Sequence, residues 1–454
     1  MPSSRCLALG CALGLTTPLS ASALDLRVTT FADQDDGQCS AAHCSLREAV
    51  SAANAYSGET RIQLEAGEYL IEKANPDSGY DWPEDENANR IGDFDVHGQI
   101  RLQGRGIGAT VLNARDLDRL FHVHSGARLE LRQLTLANGR QIYNGGALRN
   151  HGDVTLHQVE LQNNDVVIYL DQPTVPKAGN GGAIANEGVL TVQRSVFRGN
   201  TANGEMGNDV GYGGAVYNEG ALTVRDSLFV ANRATDYGEW GIGGALYNQG
   251  SADIARTSFQ GNGVAWSGYG SAIANAGQLR LANSTLTGNT TVQRGTLENG
   301  HPWRSELNAN ARAELIHVTI AGNEGWGLTN LAHLLLRNSI VAGNYSSEFE
   351  VVRNCYNQPG ALGYQARGLL LGTDAGNCVA DRHIADDSTF THHLFPLQSN
   401  NGSQVHPLRR TSAAIDAGVG SCASHDQRGL NRPRDGNGDG VANCDLGAFE
   451  RAYP

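Results

Sequence analysis

Gly181-Gly182-Ala183-Ile184-Ala185-Asn186-Glu187-Gly188 returns at residues 213–220 and 243–250, each time as Gly-Gly-Ala-aliphatic-x-Asn-x-Gly. Further copies occupy 145–152 and 270–277, the second looser because Ser271 replaces the second glycine. Self-similarity at such a period marks a solenoid, here the stacked coils of a parallel β-helix. Each motif Asn is followed fourteen positions later by another: Asn150 and Asn164, Asn186 and Asn200, Asn218 and Asn232, Asn248 and Asn262, Asn275 and Asn289, Asn330 and Asn344. Four, six and eleven positions after the first Asn the residue is apolar, which gives three columns, among them Leu161, Phe197, Phe229, Phe259, Leu286 and Val341. A spacing of two is the strand period, so these side chains point inward while Thr191, Thr223 and Asp253 face out. No coil buries its apolar face alone; stacking at ~4.8 Å per coil makes one continuous core. The asparagines read as corner residues, since Asn tolerates the left-handed conformation that a sharp corner needs and its amide can bond to its own copy one coil away.

The first residues have the form of an export signal: Arg5, an apolar run at 7–15, then Ala21-Ser22-Ala23 as a cleavage site. The processed chain is expected to start at Leu24 and to be secreted, periplasmic or at the cell surface. The formal net charge is -13, and Lys73 and Lys177 are the only lysines, which excludes nucleic acid as a partner. No other apolar stretch is long enough to span a bilayer. Cys39 with Cys44, Cys355 with Cys378 and Cys422 with Cys444 form sequence-near pairs outside the repeats, read as disulfides of the terminal caps.

Cys44-Ser45-Leu46-Arg47-Glu48-Ala49-Val50 reads as the start of a short helix: Ser45 and Glu48 have capping-box spacing, and Leu46, Ala49, Val50 and Ala53 form one apolar stripe. This stretch resembles the CSLREA motif of secreted bacterial β-helix proteins. Ser412-Ala413-Ala414-Ile415-Asp416-Ala417-Gly418, Asp426-Gln427-Arg428-Gly429 and Cys444-Asp445-Leu446-Gly447-Ala448-Phe449-Glu450 resemble the choice-of-anchor Q domain. The tetrapeptides 181–184 and 197–200 are similar to the repeats of chlamydial polymorphic outer-membrane proteins. The resemblance, with the rule for parallel crossovers, implies a right-handed helix. The chain is therefore divided into a signal peptide (1–23), an N-terminal cap with the first coil (24–95), β-helix repeats (96–350) and an irregular C-terminal cap (351–454). The expected fold is all-β, a single-stranded solenoid of about ten coils with a short N-terminal capping helix.

All length variation falls at one corner, so the insertions leave the solenoid on one flank and stack into a wall. Asp209, Tyr212, Asp236, Tyr237, Glu239, Trp240, Trp266 and Tyr269 stand in that wall, where aromatic faces beside carboxylates suit sugar rings. The competing reading is that each aromatic folds its own loop against the solenoid. Titratable groups converge best just after the motif Asn, where Glu187 and Glu219 take the same position on successive coils, with His151 before them and Gln249 after. Such a pair suits acid–base or nucleophilic work on a glycan, and Arg194 or Arg225 would supply a base to a lyase. Asp435-Gly436-Asn437-Gly438-Asp439-Gly440 alternates oxygen donors with glycine sixth, as calcium loops do; Val441 would add its carbonyl, and Asn443 or Asp445 the rest. Calcium there is expected to stiffen the cap. The functional expectation is an exported, monomeric scaffold that binds a glycan or cell-surface component along the loop wall. The alternative is a calcium-dependent polysaccharide lyase or glycosidase.

Overall fold

The computed structural model describes residues 23–73, 86–167, 178–204, 210–235, 240–302, 304–348, 350–373, 376–400 and 403–453. They form a right-handed parallel β-helix. Its first column begins with Leu24–Arg27 and Glu59–Gln63 and ends with His333–Ala342 and Gly363–Gly372; twelve parallel strands stack in it among the described residues. The excess over about ten coils comes from rungs without the Gly and Asn frame, at residues 24–63 and after 350. The inward columns match the sequence reading residue for residue: Val154, Leu190 and Leu222 pair in register, as do Leu161, Phe197, Phe229, Phe259 and Leu286.

Both asparagine ladders form. Asn186 donates its side-chain amide to Asn218 Oδ1 at 2.6 Å, and Asn218 to Asn248 Oδ1 at 2.7 Å; in the second ladder Asn200 donates to Asn232 Oδ1 at 2.8 Å. None of these asparagines takes the left-handed conformation itself. At the second corner it falls on the residue before, such as Asn163 (φ 53°), Gly199 (φ 64°) and Ala231 (φ 55°), which turns the chain so that the Asn side chain points down the stack. Asn218→Ala is expected to cost about 1–3 kcal/mol, because Asn186 above and Asn248 below each lose a partner at a fully buried site. Urea unfolding measures this, and a loss within about 0.5 kcal/mol, typical of surface positions, would mean the ladder is replaceable by water.

Helix Leu46–Ala55 closes the N-terminal end with both halves of the capping box in place, and buries Leu46, Ala49, Val50 and Ala53. Arg47 is buried beside it, paired with Asp33 at 2.7 Å. All three expected disulfides are present. The solenoid runs past residue 350: Cys355–Asn357 pairs with residues 328–330, and Gly363–Gly372 adds a rung with Leu369 and Leu371 inward. The segment beyond it lies along the side of the helix, over apolar outward residues such as Ile340 and Leu370 that need cover. Ser258 Oγ donates to Gln404 O at 2.8 Å, and Ala448 N to Thr319 Oγ1 at 3.0 Å. A boundary at 350, with everything after it forming an end cap, is therefore corrected.

Candidate functional site

A second column of strands follows the first, stacking Val196–Arg198, Leu228–Val230 and Ser258–Gln260, and on the opposite wall a third stacks Phe94–Val96, Phe121–Val123, Leu148–Asn150, Ile184–Asn186, Val216–Asn218 and Leu246–Asn248 in parallel register. The first and last residues of each short strand point into the core, so the middle residue faces out, and so does the one following the strand. Two neighbouring stripes result. One reads Asp95, His122, Arg149, Ala185, Tyr217, Tyr247; the other reads His97, His124, His151, Glu187, Glu219, Gln249.

These stripes bring titratable groups into contact over successive rungs. His151 Nε2 lies 3.0 Å and Arg149 Nη2 3.4 Å from Glu187 Oε1. His151 Nδ1 is 3.3 Å from His122 Nε2, and burial with the nearby Arg119 charge holds the His122 imidazole far below its usual range. His124 Nε2 is 2.9 Å from Asp95 Oδ1, and the His97 and His124 rings stack with centroids 4.0 Å apart. Burial raises the Asp95 carboxyl above its ordinary value, against the opposing pull of His124. One rung beyond Glu187, Tyr217 donates its hydroxyl to Glu219 Oε1 at 2.6 Å. Glu187 and Glu219 are thus partnered away from each other, the first toward the preceding rung and the second within its own.

The insertions leave and re-enter on the flank of this column. Asp165–Val167, Thr201–Asn203, Arg233–Thr235 and Gly263–Val264 are stacked where they depart, and Asn180, Tyr212, Ile242 and Tyr269 bridge in parallel where they return. Asp209, Asp236, Tyr237 and Glu239 lie outside the described residues. Tyr212 packs on Tyr247 (4.8 Å between centroids), and Tyr217 stacks on Tyr247 (5.5 Å). Trp240 lies parallel to Tyr269 at 6.3 Å, and the Arg294 guanidinium covers Tyr269 at 4.9 Å. Tyr269 and Tyr247 are buried with Val210 and Ile242, so these aromatics anchor their loops as well as flank the stripe. Trp266 is 55% exposed.

The other expectations fall elsewhere. Arg225 sits on the first column, paired with Asp253, and Arg194 lines a cavity of about 730 Å³ against the C-terminal segment with Asp226, Arg256 and Arg428, so neither joins Glu187. In the loop at 435–441, Asp435 accepts the amides of Gly438 (2.6 Å) and Gly440 (2.9 Å), Asn437 that of Asp439 (2.8 Å), and Asp439 that of Val441 (2.8 Å). Asn443 and Asp445 turn into the cap instead: Asn443 donates to Asp416 O and Gly418 O, and Asp445 accepts the amides of Asp416 and Arg451. The donor set of the loop itself is thus Asp435, Asn437, Asp439 and the Val441 carbonyl, which fits the first half of a calcium loop.

The histidines at 97, 122 and 124 went unread in the sequence, because their coils lack the Gly and Asn frame. The signal was His151 itself: Gly152 follows it as Gly98 follows His97, and carrying that column two coils upstream reaches the cluster.

No family model and no curated protein matches this chain. Among solved structures it is similar to pectate lyase Pel9A (15% identity, 96% of this chain and 98% of that one, TM-score 0.43). It is also similar to pectin methylesterase PemA from Erwinia chrysanthemi (11% identity, 82% and 96%, TM-score 0.32). A mutant of the PL6 family alginate lyase AlyGC shares 12% identity over 95% of this chain and 59% of that one, with TM-score 0.33. Likenesses at this level carry no argument about activity.

Proposed function

We propose that the chain is an exported carbohydrate-active enzyme that hydrolyses a glycosidic bond in a polysaccharide laid along the third column. The observation that carries this reading is the convergence of Arg149, His151 and Glu187 on two adjoining rungs, with Glu219 one rung further. Glu187 accepts from Arg149 Nη2 and stands 3.0 Å from His151 Nε2, the posture of a carboxylate that takes a proton or attacks; Glu219 is the second carboxylate such chemistry needs. Tyr212 and Tyr217, half-buried and packed on the buried Tyr247, follow on the next rungs as faces for sugar rings. A rigid ladder of rungs suits an extended polymer, and the net charge of -13 favours a neutral one. Export is supported by the three disulfides. The capped helix at 46–55 and the cap over the solenoid flank support kinship with CSLREA-motif and choice-of-anchor Q proteins.

A second reading, a non-catalytic glycan-binding module, is favoured by the exposed Trp266 and by aromatics spread over several coils. Incubation of the processed protein with a polysaccharide panel separates the two. New reducing ends are expected. Unsaturated ends would replace hydrolysis by elimination, retention without turnover would leave the binding module, and neither outcome would remove both.

Calcium is proposed as a structural ion at Asp435, Asn437, Asp439 and Val441. Exhaustive chelation should then lower the melting temperature by about 1–2 °C, as the loss of about 1 kcal/mol does in a chain of this length, and Asp439→Ala should abolish the response. An unchanged melt in both proteins would remove the metal.

A further inference from the structure

We propose that the N-terminal end of the outer stripes is a binding site for one divalent transition-metal ion of the zinc class, held by Asp95, His97 and His124. This inference stands on the cluster alone and does not rest on the carbohydrate reading.

One donor atom from each of the three residues lies within 4.8 Å of the other two. His124 Nε2 and Asp95 Oδ1 are 2.9 Å apart, close to the roughly 3 Å that separates two ligands of a tetrahedral zinc ion at its usual bond lengths. Two imidazoles with one carboxylate make a borderline donor set that favours zinc, nickel, copper or iron over calcium and magnesium.

The supporting contacts orient the ligands as metal sites do. His97 Nε2 lies 2.9 Å from the Asn87 carbonyl, an acceptor only, so the proton stands on Nε2 and the Nδ1 lone pair is left for an ion. Asp95 is fully buried and its second oxygen accepts the Asn89 amide at 3.0 Å, which fixes the carboxylate with Oδ1 toward His124. His122, with Nδ1 3.7 Å from the same Oδ1, is within reach as a further donor. Asp95 and His97 share one rung of a rigid column and His124 comes from the next, so the site needs no closure to assemble.

Tag-free full-length protein, stripped with chelator, is titrated with Zn2+ by calorimetry and with Co2+ by visible absorption. One ion per chain is expected, with cobalt d–d bands of a nitrogen and oxygen site and a rise in melting temperature. His97→Ala and His124→Ala should each weaken binding at least about tenfold. His97 is exposed, so its replacement leaves the fold intact and keeps the test valid if the His124 variant is unstable. Absence of uptake would overturn the proposal. So would uptake unchanged in the His97 variant, or uptake lost in His43→Ala, which would place the ion in the Asp36, His43 and Glu48 cluster.

Discussion

Glu187→Gln should lower turnover of the polysaccharide selected by the panel by roughly 10²–10⁴-fold, the usual contribution of a positioned acid or base. Glutamine keeps the size of the side chain and can still accept from Arg149 Nη2, 3.4 Å from the carboxylate oxygen, with His151 Nε2 at 3.0 Å beside it. It cannot take and return a proton, nor attack. The loss should therefore appear in kcat with little change in KM, and the melting temperature should stay within a degree or two, since Glu187 is exposed and no core residue depends on it. Glu219→Gln should behave similarly from the next rung. Asp253→Asn, on the first column and paired with Arg225 and Arg280, should leave turnover unchanged. Equal activity of the Glu187 variant and the parent would move the chemistry away from this stripe.

The largest stability effect is expected for Phe229→Ala, at about 3–5 kcal/mol. Phe197, Phe229 and Phe259 are fully buried and stack face over face, with centroids 4.5 and 4.8 Å apart and planes within 1° and 11° of parallel. Removing the middle ring takes away its own buried surface and a stacking partner from each neighbour. The void is hard to close, because backbone ladders on every side fix the rung spacing: Leu228 pairs with Val196 above and Ser258 below. The cost therefore belongs at the upper part of the range for large-to-small core changes. Thr223→Ala, one column away on the outer face, is the control and should stay within about 0.5 kcal/mol. A Phe229 variant that unfolds in urea with the parent would mean that the core relaxes freely between rungs.

The solenoid was legible because its physics is periodic. Leu190, Leu222 and Leu279 repeat at a fixed distance from a motif Asn, and only stacking satisfies such a pattern; the capping box at Ser45 and Glu48 and the three cysteine pairs were legible for equally local reasons. The opposite corner was not legible. There the left-handed conformation falls on Gln158, Arg194, Asp226 and Arg256, residues with no shared chemistry, because the flanking strands impose the bend. Ser195, Ser227 and Ser284 were the visible trace of it: Ser195 N donates to Ser227 Oγ at 3.2 Å, and Thr257 N to Ser284 Oγ at 3.2 Å. For the site, the sequence located Glu187, Glu219 and the shared flank of the loops. It placed His151 one coil before Glu187, but not the 3.0 Å approach between them nor the Arg149 contact, which follow from the side-chain packing between coils. Whether Tyr247 or Tyr269 faces a ligand or anchors a loop was equally closed to sequence, because that depends on what packs over each ring.

Carboxylate footprinting shows which face of the solenoid the polymer covers. The protein is labelled with a carbodiimide and an amine, with and without the polysaccharide that the panel selects, and modification is read at each acid by mass spectrometry. For a polymer seated on the third column, labelling of Glu187 and Glu219 falls in its presence while Asp253 and Glu314, on the first column, label as before. Protection of Asp253 and Glu314 with Glu187 and Glu219 unaffected would contradict that seating.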